Sequence, residues 1–342
     1  MARTVALVDA QHPAARELAL ALEDEPLVGR ILGVCGGDVP LLGPKFEQVR
    51  AQPGQEAFTA ALGQADALVL FPLVPVGARD EDGARRRVLD AVRASLAAAA
   101  RAGTVVLWSS GAVYGAHPDN PVPLPEDAVP RPDPAFPPAD LLAEIERQVT
   151  PVPGGVVVRG AGVWAPAWNT FLGRALRAPV LLGVRGFDPP VQALHPADAA
   201  AALALAVRGG LDGGVYHAAP DDWVPASEVA RLAGRRRVVL PERALLAGST
   251  RLGRLGVAAL SPGELRYHMY PWVLANGRLR AAGWTPAHST GAALAAAGRE
   301  VAAGGPPARP AAARNGLYRG AAVAGAAALA AFALARRRAR RT

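Results

Sequence analysis

Short apolar runs alternate with helix-period segments through the first half of this chain, a pattern that predicts βαβ units around a parallel sheet. Thr4–Val8 is an apolar run. It is followed by a helical pattern over Pro13–Leu22, with Leu18 and Leu22 four residues apart. Arg30–Val34 and Asp66–Phe71 read as further strands. Glu81–Arg101 reads as a long helix with Leu89, Val92 and Leu96 on one face. Thr104–Trp108 is the next strand, then a Pro-rich loop over 117–138, a helix over Ala139–Gln148 and a strand over Gly155–Arg159.

Beyond residue 160 the order becomes mixed. Ala197–Val207 and Ala226–Leu232 read as helices, with a short strand Val215–His217 between them. The expected division is a Rossmann-like domain over 1–160 and a smaller substrate lobe over 161–302. A Pro/Ala/Gly linker over 303–316, an apolar helix over 317–335 and an Arg-rich tail over 336–342 follow.

Composition changes this picture in two places. The net charge of +8 suggests a nucleic-acid partner until its location is considered. Eight of the 37 basic residues lie in 303–342, which has no acid, leaving 29 basic against 29 acidic residues in the body. No nucleic-acid footprint remains there, and Arg235-Arg236-Arg237 reads as a solvated helix end leading into a strand. Cys35 is the only cysteine and Met1–Leu22 has no signal-peptide pattern, so a cytoplasmic body is expected. Gly320–Ala335 carries no charge and precedes Arg336, Arg337, Arg338, Arg340 and Arg341. That pairing predicts association with an anionic membrane surface, as a weak anchor or through the arginines. Packing of an Ala-rich helix on the body is the alternative.

Trp108-Ser-Ser-Gly-Ala-Val-Tyr-Gly115 resembles the S-S-x-x-V-Y-G segment of the extended short-chain dehydrogenases, the NAD-dependent epimerase/dehydratase family. Four further stretches resemble that family in order and spacing: 156–166, 191–200, 214–234 and 278–286. The resemblance spans residues 4 to about 300 and implies a doubly wound α/β fold with a small substrate lobe. It also implies a nucleotide- or sugar-like ligand.

The departures from the family pattern bear on chemistry. The resemblance puts Asp9, His12 and Ala15 where the family has the glycines that let a backbone approach a dinucleotide pyrophosphate. Cys35, followed by Asp38, takes the place of the acid that holds the adenosine ribose. Phe136 and Asp140 stand in place of the Tyr-x-x-x-Lys pair, in which Tyr is the acid/base and Lys lowers its pKa. Lys45 is the only lysine, and no tyrosine lies four residues before it, so no shift of register restores the pair.

The expectation is therefore a protein without hydride transfer and without a cofactor, binding a ligand or serving as a scaffold at the membrane. The alternative is an active NAD- or NADP-dependent epimerase, dehydratase or reductase rewired around Ser110 and Tyr114. His195 and Asp198 read as a packing residue and a helix-start acid, and the six histidines show no metal-ligand spacing.

Overall fold

The computed structural model describes residues 2–75, 80–168, 170–178, 180–247 and 261–304. The expected apolar helix and Arg-rich tail, with nearly all of the linker, lie outside the described residues.

Seven parallel strands form the central sheet, in the order β3-β2-β1-β4-β5-β6-β9. They are β1 (Arg3–Val8), β2 (Val28–Cys35), β3 (Phe46–Arg50), β4 (Ala67–Leu70), β5 (Thr104–Ser110), β6 (Gly155–Gly160) and β9 (Gly214–Ala218). β4 and β6 are buried along their whole length, as expected of strands covered on both faces. Side chains alternate between the two faces with the strand period of two. Val5 and Leu7 of β1 join one core with α1 (Pro13–Glu23) and α6 (Pro196–Val207). Ala6 and Val8 join a second core with α2 (Glu56–Leu62), α3 (Glu81–Ala98) and α4 (Pro137–Val149). The doubly wound architecture expected from the sequence is thus present.

β3 and α2 are additions to the sequence reading. β3 is an edge strand in which only Phe46 is buried, so its residues carry no alternating pattern. α2 has seven residues and no side-chain cap.

The lobe is built from α5 (Phe171–Arg177), β7 (Val180–Val184), β8 (Pro190–Val191), β10 (Val224–Pro225), α7 (Ala226–Leu232) and β11 (Arg236–Leu240). β7 pairs in parallel with β11, and β8 antiparallel with β10. The arginine run thus leads into β11, as expected. A short helix, Pro262–Arg266, packs under the lobe. Its Gly263 permits close approach to the backbone before α4, because a Cβ there would lie 2.3 Å from the Ala135 carbonyl oxygen. Thr290–Ala302 is the final described helix.

Candidate functional site at the carboxyl ends of the strands

In open α/β sheets, ligands bind beyond the carboxyl ends of the strands, near the β1–α1 turn. Here that turn keeps the backbone shape of a glycine turn without the glycine. Asp9 has φ 58, a left-handed conformation that Asp tolerates better than most residues. His12 is the N-cap of α1, its Nδ1 accepting from the Ala14 amide at 3.1 Å. Pro13 has no N–H, and the Ala15 and Arg16 amides donate to the His12 carbonyl at 2.9 and 3.4 Å. The amides that would face an anion at this helix end are therefore committed within the chain. A dinucleotide with its pyrophosphate held on the α1 amides does not fit the residues present.

Aromatic rings close the same region. His12 stacks on Phe71 at 5.6 Å between centroids and meets Trp168 edge-on at 6.0 Å. Trp168 in turn meets Trp108 at 6.0 Å. Phe71 follows β4, Trp108 lies in β5 and Trp168 follows β6, so the four rings bridge three strand ends. Burial lowers the His12 imidazole to about 4, so it is neutral at physiological pH.

Burial raises the Asp9 carboxyl to about 6, partly offset by the Leu73 backbone hydrogen bond. At neutral pH Asp9 still carries most of a negative charge. Ala15 is buried against the core. Cys35 is also buried, its thiol pushed up by burial and its Sγ donating to the Gly37 carbonyl at 3.3 Å. Asp38 is exposed and ion-paired with Arg50.

The two residues that the resemblance puts at the Tyr-x-x-x-Lys pair lie at the start of α4. Phe136, its N-cap residue, is buried between Phe171 at 5.6 Å and Tyr267 at 5.2 Å. The Tyr267 hydroxyl donates to the Ala112 carbonyl at 2.7 Å, and burial raises that phenol well above its usual value. Asp140 pairs with Arg85 of α3 at 2.9 Å, and Glu144, one turn further on, contacts the same guanidinium. Neither position presents a proton donor or a cation to the cleft.

Ser110 caps the short 3-10 turn Gly111–Tyr114, its Oγ accepting from the Ala112 amide at 3.2 Å. Tyr114 is 2 % exposed and belongs to a closed polar network. Its hydroxyl donates to His217 Nε2 at 2.7 Å and accepts from Arg159. His217 Nδ1–H donates to the Ala275 carbonyl at 2.8 Å, which sets the tautomer. Arg159 makes a bidentate pair with Glu146, its Nη2 reaching Oε2 at 2.6 Å, and Glu146 also accepts from Ser109. Burial pushes the Tyr114 phenol up to about 12, against the relief from Arg159. Acid/base work at neutral pH needs a shift in the other direction. Burial likewise lowers the His217 imidazole to about 3.

His195 caps α6, its Nδ1 accepting from the Ala197 amide at 3.2 Å, and stacks on His288 at 3.8 Å. Asp198, in the first turn, accepts from the Ala287 and His288 amides at 3.0 and 3.1 Å. Both residues tie the 284–290 segment to α6.

Beside Phe136 the lobe holds a small cavity that no sequence pattern announces. Trp164, Leu172, Leu181, Val229, Tyr267 and Trp272 form its apolar wall, with His268 and Arg237 as its polar members. Its volume is about 30 Å³. Trp164 Nε1 and His268 Nε2 are buried without a hydrogen-bond partner among the described residues. Such orphans cost about 1–3 kcal/mol each. Burial lowers His268 to about 4. No spacing rule singles out either residue in the sequence, because Trp164 and His268 lie 104 positions apart.

No protein-family model matches the chain. Uncharacterised proteins of Mycobacterium tuberculosis and Mycobacterium bovis are 27% identical to it over 248 residues, 66% of this chain and 64% of theirs. The aligned part thus spans under two thirds of these relatives. Among solved structures, UDP-glucuronic acid 4-epimerase from Bacillus cereus, in complex with UDP-glucuronic acid and NAD, superposes with a TM-score of 0.67. It is 13% identical, over 88% of this chain and 99% of that one. The dTDP-glucose 4,6-dehydratase of Bacillus anthracis, in complex with NAD, gives 0.65 at 13% identity, over 87% and 96%. A short-chain dehydrogenase/reductase superfamily protein of Agrobacterium tumefaciens with bound NAD gives 0.65 at 18%, over 86% and 96%.

These structures overturn the expectation of no cofactor. That expectation rested on residues at the family's cofactor positions, the missing glycines, Cys35 and the missing lysine, and the fold these structures share with this chain carries NAD in each of them. The chain has the Rossmann fold of the extended short-chain dehydrogenases, the fold of NAD-dependent epimerases and dehydratases.

Proposed function

We propose that this protein is a ligand-binding version of the epimerase/dehydratase fold. It takes a nicotinamide dinucleotide at the strand ends, through contacts other than the α1 amides, and does not transfer hydride. The observation that carries this reading is the fate of the acid/base pair. Phe136 is packed into an aromatic cluster, and Asp140 is matched to Arg85 on the neighbouring helix. A side chain without a proton and a carboxylate cannot supply the donor and cation that the chemistry requires. The NAD-bound neighbours support the ligand.

The rewired alternative has less support, since Tyr114 is sealed in the core with its phenol raised to about 12. The sequence of 317–342 supports a membrane-surface location, with Arg336–Arg338, Arg340 and Arg341 against anionic lipid. Deleting 317–342 is then expected to move the protein from the membrane to the soluble fraction, and an unchanged distribution argues against that location.

Calorimetry with NAD, NADH, NADP and NADPH tests the binding half. Saturable binding of at least one is expected, and none by any of the four refutes it. Reduction of NAD or NADP at 340 nm in the presence of UDP-glucose or dTDP-glucose, or their epimerisation or dehydration, refutes the other half.

A further inference from the structure

We propose that Arg50, at the end of β3, makes this protein select dinucleotides with a phosphate on the adenosine 2′ oxygen, NADP and NADPH over NAD and NADH. The proposal rests on the dinucleotide reading above and deepens it, because it names which members of that ligand class the strand ends favour.

In a doubly wound sheet the adenosine ribose of a dinucleotide lies at the end of the second strand. Here Cys35 closes that strand, and its thiol is buried and donates to the Gly37 carbonyl at 3.3 Å. A thiol so placed gives a ribose diol no carboxylate to bind. Arg50 stands directly beside it, since the parallel pairing of β2 with β3 matches Cys35 to Arg50. The Ala51 amide donates to the Cys35 carbonyl at 3.2 Å and carries the pairing to the strand end. On the other side, the Ala10 amide of the β1–α1 turn donates to the Val34 carbonyl at 3.4 Å. The turn, the end of β2 and Arg50 are therefore neighbours in one row of strand ends.

The loop after Cys35 is folded back onto the same strand. Gln48 Nε2 donates to the Gly37 carbonyl at 2.6 Å. Gln48 and Arg50 are two residues apart on β3 and so share one face of the strand. A Cβ on Gly36 would run into the Gln52 side chain, so the loop lies close against the residues that follow β3. Asp38 then meets Arg50 in an ion pair, with the Arg50 and Asp38 side chains 69% and 76% exposed.

An exposed pair of this kind is held weakly, because water screens both charges and ordering two side chains costs entropy. A 2′-phosphate brings about two negative charges and three acceptor oxygens, which a guanidinium fork takes bidentately. It displaces Asp38 from Arg50, and Asp38 turns to solvent. The 2′-hydroxyl of NAD is neutral and offers Arg50 less than Asp38 already does. Nor is Asp38 a free ribose acid while Arg50 holds it. The charge on Asp9 opposes the pyrophosphate of all four dinucleotides alike, so it drops out of the comparison.

Calorimetry on the full-length protein at low ionic strength compares NAD with NADP, and adenosine 5′-phosphate with adenosine 2′,5′-bisphosphate. NADP is expected to bind about tenfold or more tightly than NAD, a difference of about 1.4 kcal/mol. The bisphosphate is expected to exceed the monophosphate by a similar factor. Arg50→Gln is expected to bring each pair of ligands within about twofold of one another. Asp38→Asn releases Arg50 and is expected to raise NADP affinity about threefold. It also serves if Arg50→Gln does not fold. Three results overturn the proposal while dinucleotide binding stands: NAD bound as tightly as NADP, a preference that survives Arg50→Gln, or a loss of NAD affinity in Asp38→Asn. Binding of no dinucleotide refutes the dinucleotide reading instead. The two adenosine phosphates then decide on Arg50 by themselves, and equal binding of both, or of neither, overturns the proposal.

Discussion

Replacing Asp9 by Asn isolates the charge held in the β1–α1 turn. Asn tolerates the left-handed backbone at φ 58 as Asp does and still offers an acceptor to the Leu73 backbone. Only the ionisation is removed. Burial raises this carboxyl from 3.8 to about 6. At 1.36 kcal/mol per unit this corresponds to at most about 3 kcal/mol of differential stability. Partial solvent access to Asp9 reduces the expectation to about 1–3 kcal/mol.

The sign follows from linkage. Because the folded-state pKa lies above the unfolded one, the Asp9 contribution is fully present below about pH 3.8. It is lost as pH rises to about 6 and is constant above that. Wild type and Asp9→Asn should therefore be nearly equal near pH 4, and the variant should be more stable by about 1–3 kcal/mol at pH 8. The neutral imidazoles of His12, His217 and His268 act in the opposite direction, costing stability as pH falls below about 6.5. They act alike in both proteins, so the difference reports Asp9. Urea unfolding at pH 4, 6 and 8 measures it. A difference that does not change with pH, or a variant less stable at pH 8, would falsify the assignment of a partly desolvated carboxylate to this turn.

Three further outcomes are expected. Arg159→Met leaves Glu146 buried with Ser109 as its one remaining side-chain partner among the described residues and should cost about 3–5 kcal/mol by urea unfolding. Adding Glu146→Gln should recover much of that loss, and a double variant no better than the single one contradicts the pairing. His12→Ala removes the α1 cap, worth about 1 kcal/mol, and frees the Ala14 amide. Its NAD affinity by calorimetry should rise, and unchanged affinity would show that the cap does not limit anion access. Phe136→Tyr with Asp140→Lys should leave hydride transfer absent at 340 nm. The new lysine would face Arg85, and the new hydroxyl would enter a cluster with Phe171 and Tyr267. Appearance of turnover would show that those two residues alone separate this chain from an active enzyme.

The parts legible in the sequence are those where one physical signal dominates. The buried strands β1, β4, β5 and β6 read as apolar runs because both of their faces are covered. The β1–α1 turn was legible as well. Asp9 falls at the position that needs a left-handed backbone, and Pro13 falls in the first helical turn where its missing N–H is tolerated. β3 was not legible, because a polar edge strand with one buried residue has no period to detect.

At the site, the residues that the resemblance aligns with the Tyr and Lys positions, Phe136 and Asp140, could be named from the sequence, but their surroundings could not. Arg85 answers Asp140 from a helix more than fifty residues away, and Trp168 reaches His12 at the strand ends. Such contacts exist only once the chain is folded. The same holds for Trp164 and His268, two unremarkable residues until the lobe brings them to one cavity. The cofactor expectation failed for a related reason. Absent glycines describe one mode of holding a pyrophosphate and leave open whether the fold accepts the molecule at all.

The most direct test is a single-turnover experiment with the full-length protein at high concentration, NAD or NADP, and UDP-glucose, UDP-glucuronic acid or dTDP-glucose in turn. Dinucleotide binding with a flat trace at 340 nm and unaltered sugar is the predicted result. Reduced dinucleotide formed in proportion to protein, and abolished by Tyr114→Phe, would contradict it.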